Sequence, residues 1–426
     1  MAVRNATHRI RSAALTAVAA GTLSLVMPAT AGPLELGADT DLCSALRQVE
    51  PGAEIVLQPG DYRAGCVMRR GGLPQSPVVI RAADPERPPR LSHPGLVNMI
   101  EIRASDIIIR GLAFGPTAAD ADGVRVISGN RITIEDCQFT QLGGIAVAAN
   151  HTSAHGLTVR RNVITNSSTT ALYFGCHDGI SCSVTGLSVV GNRIKGVTAP
   201  NSEIGYGIEV KLNSSGVIRD NIIVDTKGPG IMVYGSRDLT TVSVVERNFV
   251  RGSRTSSGLV VGGGPVVVRN NVSGWNFEAG IGLENYGRRG LLRGVAVTHN
   301  TVYANAQGGI MTPTSGTLDV VLRNNAGAGR SRSPIFPAAR PGLHLAGNLN
   351  CTWLQCFADP EGLDFSPAPG SLLRGLSLPR GQNGIPADDF FGALRGIPPS
   401  IGAIERPGRP IRLDRQPLAG AEAPPQ

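Results

Sequence analysis

The side chains best suited to proton transfer lie in three seven-residue segments, ALYFGCH (171–177), GIEVKLN (207–213) and GIMVYGS (230–236). They are Tyr173, His177, Glu209, Lys211, Asn213 and Tyr234. A similar segment, GIGLENY (280–286), adds Glu284 and Tyr286. Lysine is rare in this chain, and the other two are Lys195 and Lys227. A retained lysine therefore indicates a position where arginine would not serve.

This set of side chains suits the cleavage of a uronate polymer by β-elimination. That reaction needs a neutralised sugar carboxylate, a base for the C5 proton and an acid for the leaving oxygen. Lys211 can be the base if desolvation favours its neutral amine, and Tyr234 can be the acid. Calcium prefers carboxylate oxygens, so Glu203 or Glu209 with Asp178 could hold a Ca²⁺ that binds the uronate.

Strand alternation predicts which of these residues share a face. The second and fourth letters of the segments are almost all apolar and are expected in the core, so the third, fifth and seventh letters should face solvent. Stacked ~4.8 Å apart, the segments would place Lys211 beside Tyr234, with Glu209 on the same strand. Tyr173, His177 and Asn213 would then lie within one coil, and Glu284 and Tyr286 roughly 10–15 Å along a groove. The alternative is an ordinary Glu209–Lys211 ion pair on a surface filled by tyrosines.

A repeated phrase positions these segments. Two or three β-branched residues lead into a polar pair, usually followed by Asn and a hydrophobe. The copies are TIEDCQF, TVRRNVI, SVVGNRI, GVIRDNI, SVVERNF, PVVVRNN, AVTHNTV and VVLRNNA. The mean spacing is about 27 residues, which is typical of solenoids whose units cannot bury a face alone. The prediction is an all-β, right-handed parallel β-helix.

One polar position recurs in every copy of the phrase. Its residues are Cys137, Asn162, Asn192, Asn221, Asn248, Asn270, Asn300 and Asn324. Amides stacked at one turn can hydrogen-bond to the coils on either side. We expect an internal column of these side chains.

The N-terminus has the organisation of a secretory signal over residues 1–31. Arg4, Arg9 and Arg11 precede an apolar stretch that ends in Ala29-Thr30-Ala31, an A-x-A cleavage motif. Without these arginines the formal charge falls from +8 to +5. We expect a secreted protein, extracellular or periplasmic, that is a monomer without a membrane span and has an acidic polysaccharide as its partner. Nucleic acid is not expected, since dense basic runs are missing and aromatic residues make up 4% of the chain.

Seven cysteines in an exported chain imply disulfides. Short spacing pairs Cys176 with Cys182 and Cys351 with Cys356, and Cys43 with Cys66 would tie an N-terminal cap to the first coil. Cys137 is left over in the asparagine position, where we expect a buried, unreactive thiol.

The phrase pattern divides the mature chain into three parts. Residues 32–76 read as an N-terminal cap, with a short amphipathic helix, and the first coil. Residues 77–330 carry the coils of the β-helix. Residues 331–426 are rich in Pro and Gly and are expected to form an irregular strap that covers the last coils, with a disordered tail of about 20 residues.

The cap sequence, the N-x-I coils and the closing segment IGAIE resemble the secreted right-handed β-helix proteins of the pectate-lyase-like superfamily. This scaffold serves lyases, hydrolases, epimerases and adhesins, so the resemblance implies the fold rather than one activity.

A narrower resemblance concerns VKLNSSGVIRDNIIVD (210–225), which is similar to the segment of the chondroitinase B and alginate lyase family that starts at the catalytic lysine. The resemblance implies that Lys211 is the base of a polysaccharide lyase. Tyr234 stands where that family has an arginine on the next coil.

Two other functions fit the same scaffold. A glycoside hydrolase needs two carboxylates ~5–5.5 Å or ~6.5–9.5 Å apart, and the groove offers Glu209, Glu284 and Asp178. A non-catalytic polysaccharide-binding protein of the cell surface or matrix is the other alternative. Formation of an unsaturated uronate would distinguish a lyase from both.

Overall fold

The computed structural model describes residues 32–201, 204–284, 292–330, 333–375, 377, 385–406 and 408–414. The predicted signal segment (1–31) and the last part of the predicted tail (415–426) lie outside these residues. So do two predicted site residues, Glu203 and Tyr286.

Three long parallel sheets run along the described chain, and each of the ten complete coils contributes a strand to sheet I, then to sheet II, then to sheet III. The strands of sheet I are Leu34–Leu36, Glu54–Leu57, Val78–Ala82, Ile107–Arg110, Ile132–Glu135, Thr158–Arg160, Leu187–Val190, Gly216–Arg219, Ser243–Glu246, Val266–Arg269, Leu292–Thr298, Thr317–Arg323 and Leu343–Ala346. Those of sheet II are Asp61–Arg63, Arg90–His93, Ala113–Thr117, Gln138–Leu142, Val163–Ser167, Arg193–Val197, Ile222–Thr226, Phe249–Ser253, Val272–Gly274, Thr301–Tyr303, Ala326–Ala328 and Leu349–Asn350. Those of sheet III are Cys66–Met68, Ile100–Arg103, Val124–Ser128, Val147–Ala149, Leu172–Phe174, Ile208–Val210, Ile231–Val233, Leu259–Val261, Ala279–Leu283 and Gly308–Met311.

Two short strand pairs lie outside these sheets. Ala154–His155 pairs in parallel with Val184–Thr185, and Phe357–Asp359 pairs antiparallel with Asp364–Pro367. The predicted all-β parallel β-helix is confirmed.

The core forms because like residues stack on like residues. In sheet I the register joins Ile80 to Ile109, Ile109 to Ile134 and Ile134 to Val159, and all four side chains are completely buried. Each coil can bury its apolar face only against its neighbours, so stability is built along the stack.

A short helix, Leu42–Arg47, covers the N-terminal end of the coils. The Asp41 side chain caps it by accepting a hydrogen bond from the backbone N–H of Ser44 at 3.0 Å. Leu42 and Leu46 are buried beneath it, and the Cys43–Cys66 disulfide ties the helix to the first strand of sheet III. The open end of the solenoid is thereby covered.

An internal asparagine ladder runs along the turn between sheets I and II. Asn221 shows the pattern: its Oδ1 accepts hydrogen bonds from Asn192 N at 2.9 Å and Asn192 Nδ2 at 3.0 Å. Its Nδ2 donates to Asn248 Oδ1 and Val189 O, each at 2.9 Å. The members are Asn162, Asn192, Asn221, Asn248, Asn271, Asn300, Asn325 and Asn348, and the first of them accepts a hydrogen bond from Cys137 N.

Two predicted members of this ladder were wrong, because Asn271 and Asn325 take the places assigned to Asn270 and Asn324. The residue before each ladder asparagine has a left-handed backbone, with φ of 55° at Asn270 and 53° at Asn324. Asparagine tolerates that conformation well, so an Asn-Asn pair fits either register. A second ladder was missed by sequence reasoning: Asn276 donates to Asn305 Oδ1 at 2.8 Å on the opposite side of sheet II.

Replacing Asn221 with Leu is expected to lower the free energy of unfolding by at least ~1–3 kcal/mol, because buried amides on both neighbouring coils lose partners. Urea denaturation measures the change. The control is Asn201→Leu at an exposed turn, which should change stability by less than about 0.5 kcal/mol. Equal stabilities of the two variants would contradict the ladder's structural role.

The C-terminal strap packs on the outer face of sheet II. Phe249, Val272 and Ala326 of the sheet share an apolar cluster with Phe365 and Ile401 of the strap. The fully buried Arg395 side chain of the strap links it to the coils. It donates hydrogen bonds to Asn270 Oδ1 of a coil at 2.7 Å and to Gly402 O of the strap at 2.9 Å. The strap therefore packs on a different sheet from the one that carries the predicted site, sheet III.

The structure forms the three predicted disulfides, Cys43–Cys66, Cys176–Cys182 and Cys351–Cys356. Cys137 is free and buried, and it begins the asparagine ladder. Burial raises the pKa of the Cys137 thiol to about 12, since the thiolate would be desolvated.

Cys137 is expected to resist alkylation by iodoacetamide near pH 8 in the folded protein and to react fully in denaturant, because the thiolate is the nucleophile. Peptide mass spectrometry under non-reducing conditions reads the modification and the three disulfides together. Rapid labelling of folded protein, or a disulfide that includes Cys137, would contradict the assignment.

Candidate active site

Register along sheet III decides which predicted site residues are neighbours. Tyr173 pairs with Glu209, Glu209 with Met232 and Met232 with Val260, all on the outer side of the sheet. Their strand neighbours, such as Leu172 and Ile208, point into the core. The predicted division between core and outer residues agrees with the structure for these strands.

A letter-by-letter alignment of GIAVAAN (144–150) with ALYFGCH (171–177) predicts that Ile145 pairs with Leu172, which is wrong by two residues. Val147 pairs with Leu172, and Ala148 therefore lies next to Tyr173. The segment consists largely of small apolar residues. A shift of two residues keeps each side chain on the same face of the sheet, so the sequence pattern cannot distinguish the two alignments.

Lys211 lies at the centre of the predicted constellation. Its Nζ donates to Glu209 Oε1 at 3.0 Å. The same nitrogen lies 4.2 Å from the ring centroid of Tyr234 and 5.7 Å from that of Tyr173. A carboxylate and two aromatic rings thus surround the Lys211 nitrogen.

The prediction that this face is open to solvent was wrong. The exposed fractions are 4% for Glu209, 2% for Lys211 and 3% for Tyr234. Leu212, Met232, Tyr234 and Val260 form a small apolar cluster outside the sheet, and Tyr206 packs against it. Turn residues and outward-facing strand residues together build this second layer, which the period-two pattern of the strands does not reveal.

Tyr173 and His177 form the more open side of the site. Tyr173 Oη lies 3.4 Å from His177 Nδ1; Tyr173 is half-buried and His177 is exposed. His177 belongs to the turn closed by the Cys176–Cys182 disulfide, which fixes it beside the strand that carries Tyr173.

Asn213 binds neighbouring turns together. Its Nδ2 donates to Gly179 O at 2.9 Å, and its Oδ1 accepts from Arg237 N at 3.0 Å. The predicted role in substrate binding would therefore require Asn213 to exchange one of these contacts.

Glu284 lies two coils beyond Tyr234, past the small Gly262, and is half-buried. Its backbone N–H donates to Val261 O at 2.8 Å, which places it in the column of Lys211 and Tyr234.

The predicted calcium ligands are not grouped in the described part of the chain, where no cluster of three or more His, Cys, Asp or Glu side chains could hold a metal ion. Asp178 accepts hydrogen bonds from Ser181 Oγ and from the backbone N–H groups of Ile180 and Ser181. These bonds, led by that from Ser181 Oγ, lower the pKa of Asp178 to about 2. The carboxylate is thus used within its own turn.

Comparisons with known proteins agree with the fold. The family model described as a right-handed β-helix region matches residues 178–331. Among solved structures, the A-module of the Azotobacter vinelandii mannuronan C-5 epimerase AlgE4 is 15% identical with a TM-score of 0.52, over 70% of this chain and 87% of that one. The Dettilon tailspike protein is 14% identical with a TM-score of 0.51, over 70% of this chain and 60% of that one. A pectate lyase is 15% identical with a TM-score of 0.47, over 86% of this chain and 90% of that one.

A search of curated proteins found no match to this sequence. The described residues contain no helix with the length and apolar character of a membrane span. The chain is a right-handed parallel β-helix protein, and its candidate site lies on the outer face of sheet III.

Proposed function

We propose that this chain is an exported enzyme that cleaves an acidic polysaccharide by β-elimination on the outer face of sheet III. The observation that carries the proposal is the contact of Lys211 with Glu209 and Tyr234, with Tyr173 on the preceding coil. The amine and the phenol can be the base and the acid that such a reaction needs, and the Glu209 carboxylate can accept the ammonium proton. The sequence resemblance around Lys211 to alginate lyases supports the same assignment.

The reaction begins with a proton transfer inside the ion pair. Glu209 accepts a proton from the Lys211 ammonium, and the neutral amine then removes the C5 proton of the uronate. The C5–H electrons form the C4–C5 double bond as the C4–O4 bond breaks. Tyr234 donates its phenolic proton to the departing O4, and Lys211 returns a proton to the phenolate. The product is an unsaturated uronate at the new non-reducing end.

Burial sets a requirement on this mechanism. Lys211 is 2% exposed, so a sugar can contact its Nζ only after the side chains that bury it shift. The same cover would exclude water from the proton transfers once the sugar is bound. A calcium ion that neutralised the sugar carboxylate from Asp178 would have to replace the hydrogen bonds within its own turn. A chelator added to the assay tests whether such an ion is required.

Export is part of the proposal. Three disulfides support an oxidising compartment, and the predicted signal segment supplies the route. An extracellular or periplasmic location also brings the protein to polysaccharides.

The experiment is incubation of the purified protein with polygalacturonate, alginate or chondroitin, followed by the ultraviolet absorbance of unsaturated uronates. A rise with one polymer is the expected result. New reducing ends without unsaturation would instead support a glycoside hydrolase. Binding without any cleavage would support the non-catalytic alternative.

A further inference from the structure

An arginine lies in the column of outer side chains that leads to the candidate active site. The register of sheet III joins Arg125 to Ala148, Ala148 to Tyr173 and Tyr173 to Glu209. Neighbouring strands are ~4.8 Å apart, so Arg125 lies roughly 14 Å from Glu209 along the helix axis. One straight line on the sheet therefore connects a guanidinium to the Lys211 site.

A buried carboxylate holds this guanidinium in place. Arg125 Nε donates to Asp122 Oδ2 at 2.6 Å, and the Asp122 side chain is 2% exposed. Asp122 Oδ1 accepts from Ile145 N at 2.8 Å, and Asp122 N donates to Asn98 Oδ1 at 3.0 Å. Because these contacts already restrict the side chain, a ligand would lose little affinity to ordering it.

The end of the Arg125 side chain remains available. Its exposed fraction is 22%, and in the described part of the chain its hydrogen bond goes to Asp122 from Nε. The two terminal nitrogens can therefore bind a carboxylate in the bidentate manner that suits guanidinium. Glu101 lies next to Arg125 on the preceding coil. Its carboxylate accepts hydrogen bonds from Arg103 Nη2 at 3.2 Å and from Asn98 Nδ2 at 3.1 Å.

The surface between the two ends of the line suits a sugar chain. Ala148 raises only a methyl group above the sheet, and the half-buried Tyr173 ring follows on the next coil. Pyranose rings laid along the axis advance by roughly one ring per coil spacing. A polymer with one sugar at Lys211 would thus pass Tyr173 and Ala148 before it meets Arg125.

We propose that Arg125 forms a distal subsite that binds the carboxylate of an acidic sugar about three residues along the polymer from the sugar at Lys211. The proposal rests on the proposed function and extends it to a substrate class. The substrate is a polyuronate with closely spaced carboxylates, bound along the helix axis over at least about four sugars.

Binding of defined oligosaccharides tests this subsite. Kd is measured by calorimetry for oligogalacturonate and oligoalginate disaccharides and hexasaccharides, in a Tyr234→Phe background so that the ligand is not consumed. The hexasaccharide of one series should bind more tightly than its disaccharide. Arg125→Gln should raise the Kd of the hexasaccharide by on the order of ten- to a hundredfold. Most of the difference in Kd between the disaccharide and the hexasaccharide should therefore disappear.

Arg110→Gln is the matched control, because Arg110 Nε also donates at 2.6 Å to a buried carboxylate, that of Glu135 on sheet I. It should leave both Kd values unchanged. An unchanged hexasaccharide Kd in Arg125→Gln, an equal loss in Arg110→Gln, or no binding of either hexasaccharide would each overturn the subsite. Arg125-dependent binding by a protein that forms no unsaturated product would instead overturn the lyase proposal and retain the subsite.

Discussion

Tyr234→Phe is expected to reduce the rate of unsaturated-uronate formation by on the order of 10²–10⁴, because the leaving O4 loses its proton donor. The ring is retained, so its contact with the Lys211 ammonium and the apolar cluster around it should persist. Loss of one hydroxyl should cost no more than ~1.5 kcal/mol of stability. Initial rates and urea denaturation of the same preparations measure both quantities.

Tyr62→Phe is the control for this substitution. Tyr62 is also buried, and its Oη donates to Leu36 O at 2.7 Å in the first coils, far from the site in sequence and in register. It should lose a similar amount of stability and keep its rate. A Tyr234→Phe enzyme that turns over as fast as the wild type would remove Tyr234 from the proposed reaction.

Lys211→Ala is expected to lower the free energy of unfolding by ~3–5 kcal/mol, since it leaves the buried Glu209 carboxylate without its ion-pair partner. An exposed pair would have lost less than about 1 kcal/mol. The burial of both side chains, which the sequence did not predict, is responsible for the difference. Urea denaturation measures it, with Lys195→Ala as the control at an exposed lysine of sheet II.

The double variant Lys211→Met/Glu209→Gln separates structure from chemistry. Neither side chain carries a charge, and their sizes are close to the originals, so stability should return to within about 1–2 kcal/mol of the wild type. If the double variant is as unstable as Lys211→Ala, the cost does not come from an unpaired buried charge.

The fold could be predicted because a solenoid repeats its local rules. The phrase that ends in Asn-x-hydrophobe recurs once per coil, and stacking places its members in one column, so the sheets and most of the ladder follow from spacing alone. The exceptions arise where two residues satisfy the same rule. Asn270 and Asn271 can each occupy a left-handed turn or a ladder position, and only the neighbouring coils decide between them.

The site could be predicted only in part. Alternation correctly placed Glu209, Lys211 and Tyr234 on one face, since it depends on the strand alone. It could not predict their burial or the apolar cluster of Leu212 and Tyr234 against which Tyr206 packs, because turn residues follow no period. Arg125 was missed because its column becomes visible only when the register of Ala148 against Tyr173 is known.

The most direct test of the account is the product that the wild type and the Lys211→Met/Glu209→Gln variant form from the same acidic polysaccharide under identical conditions. The wild type is expected to generate unsaturated uronate ends, and the folded double variant is expected to generate them at least 10²-fold more slowly. Unsaturated product from the double variant at the wild-type rate would contradict the account.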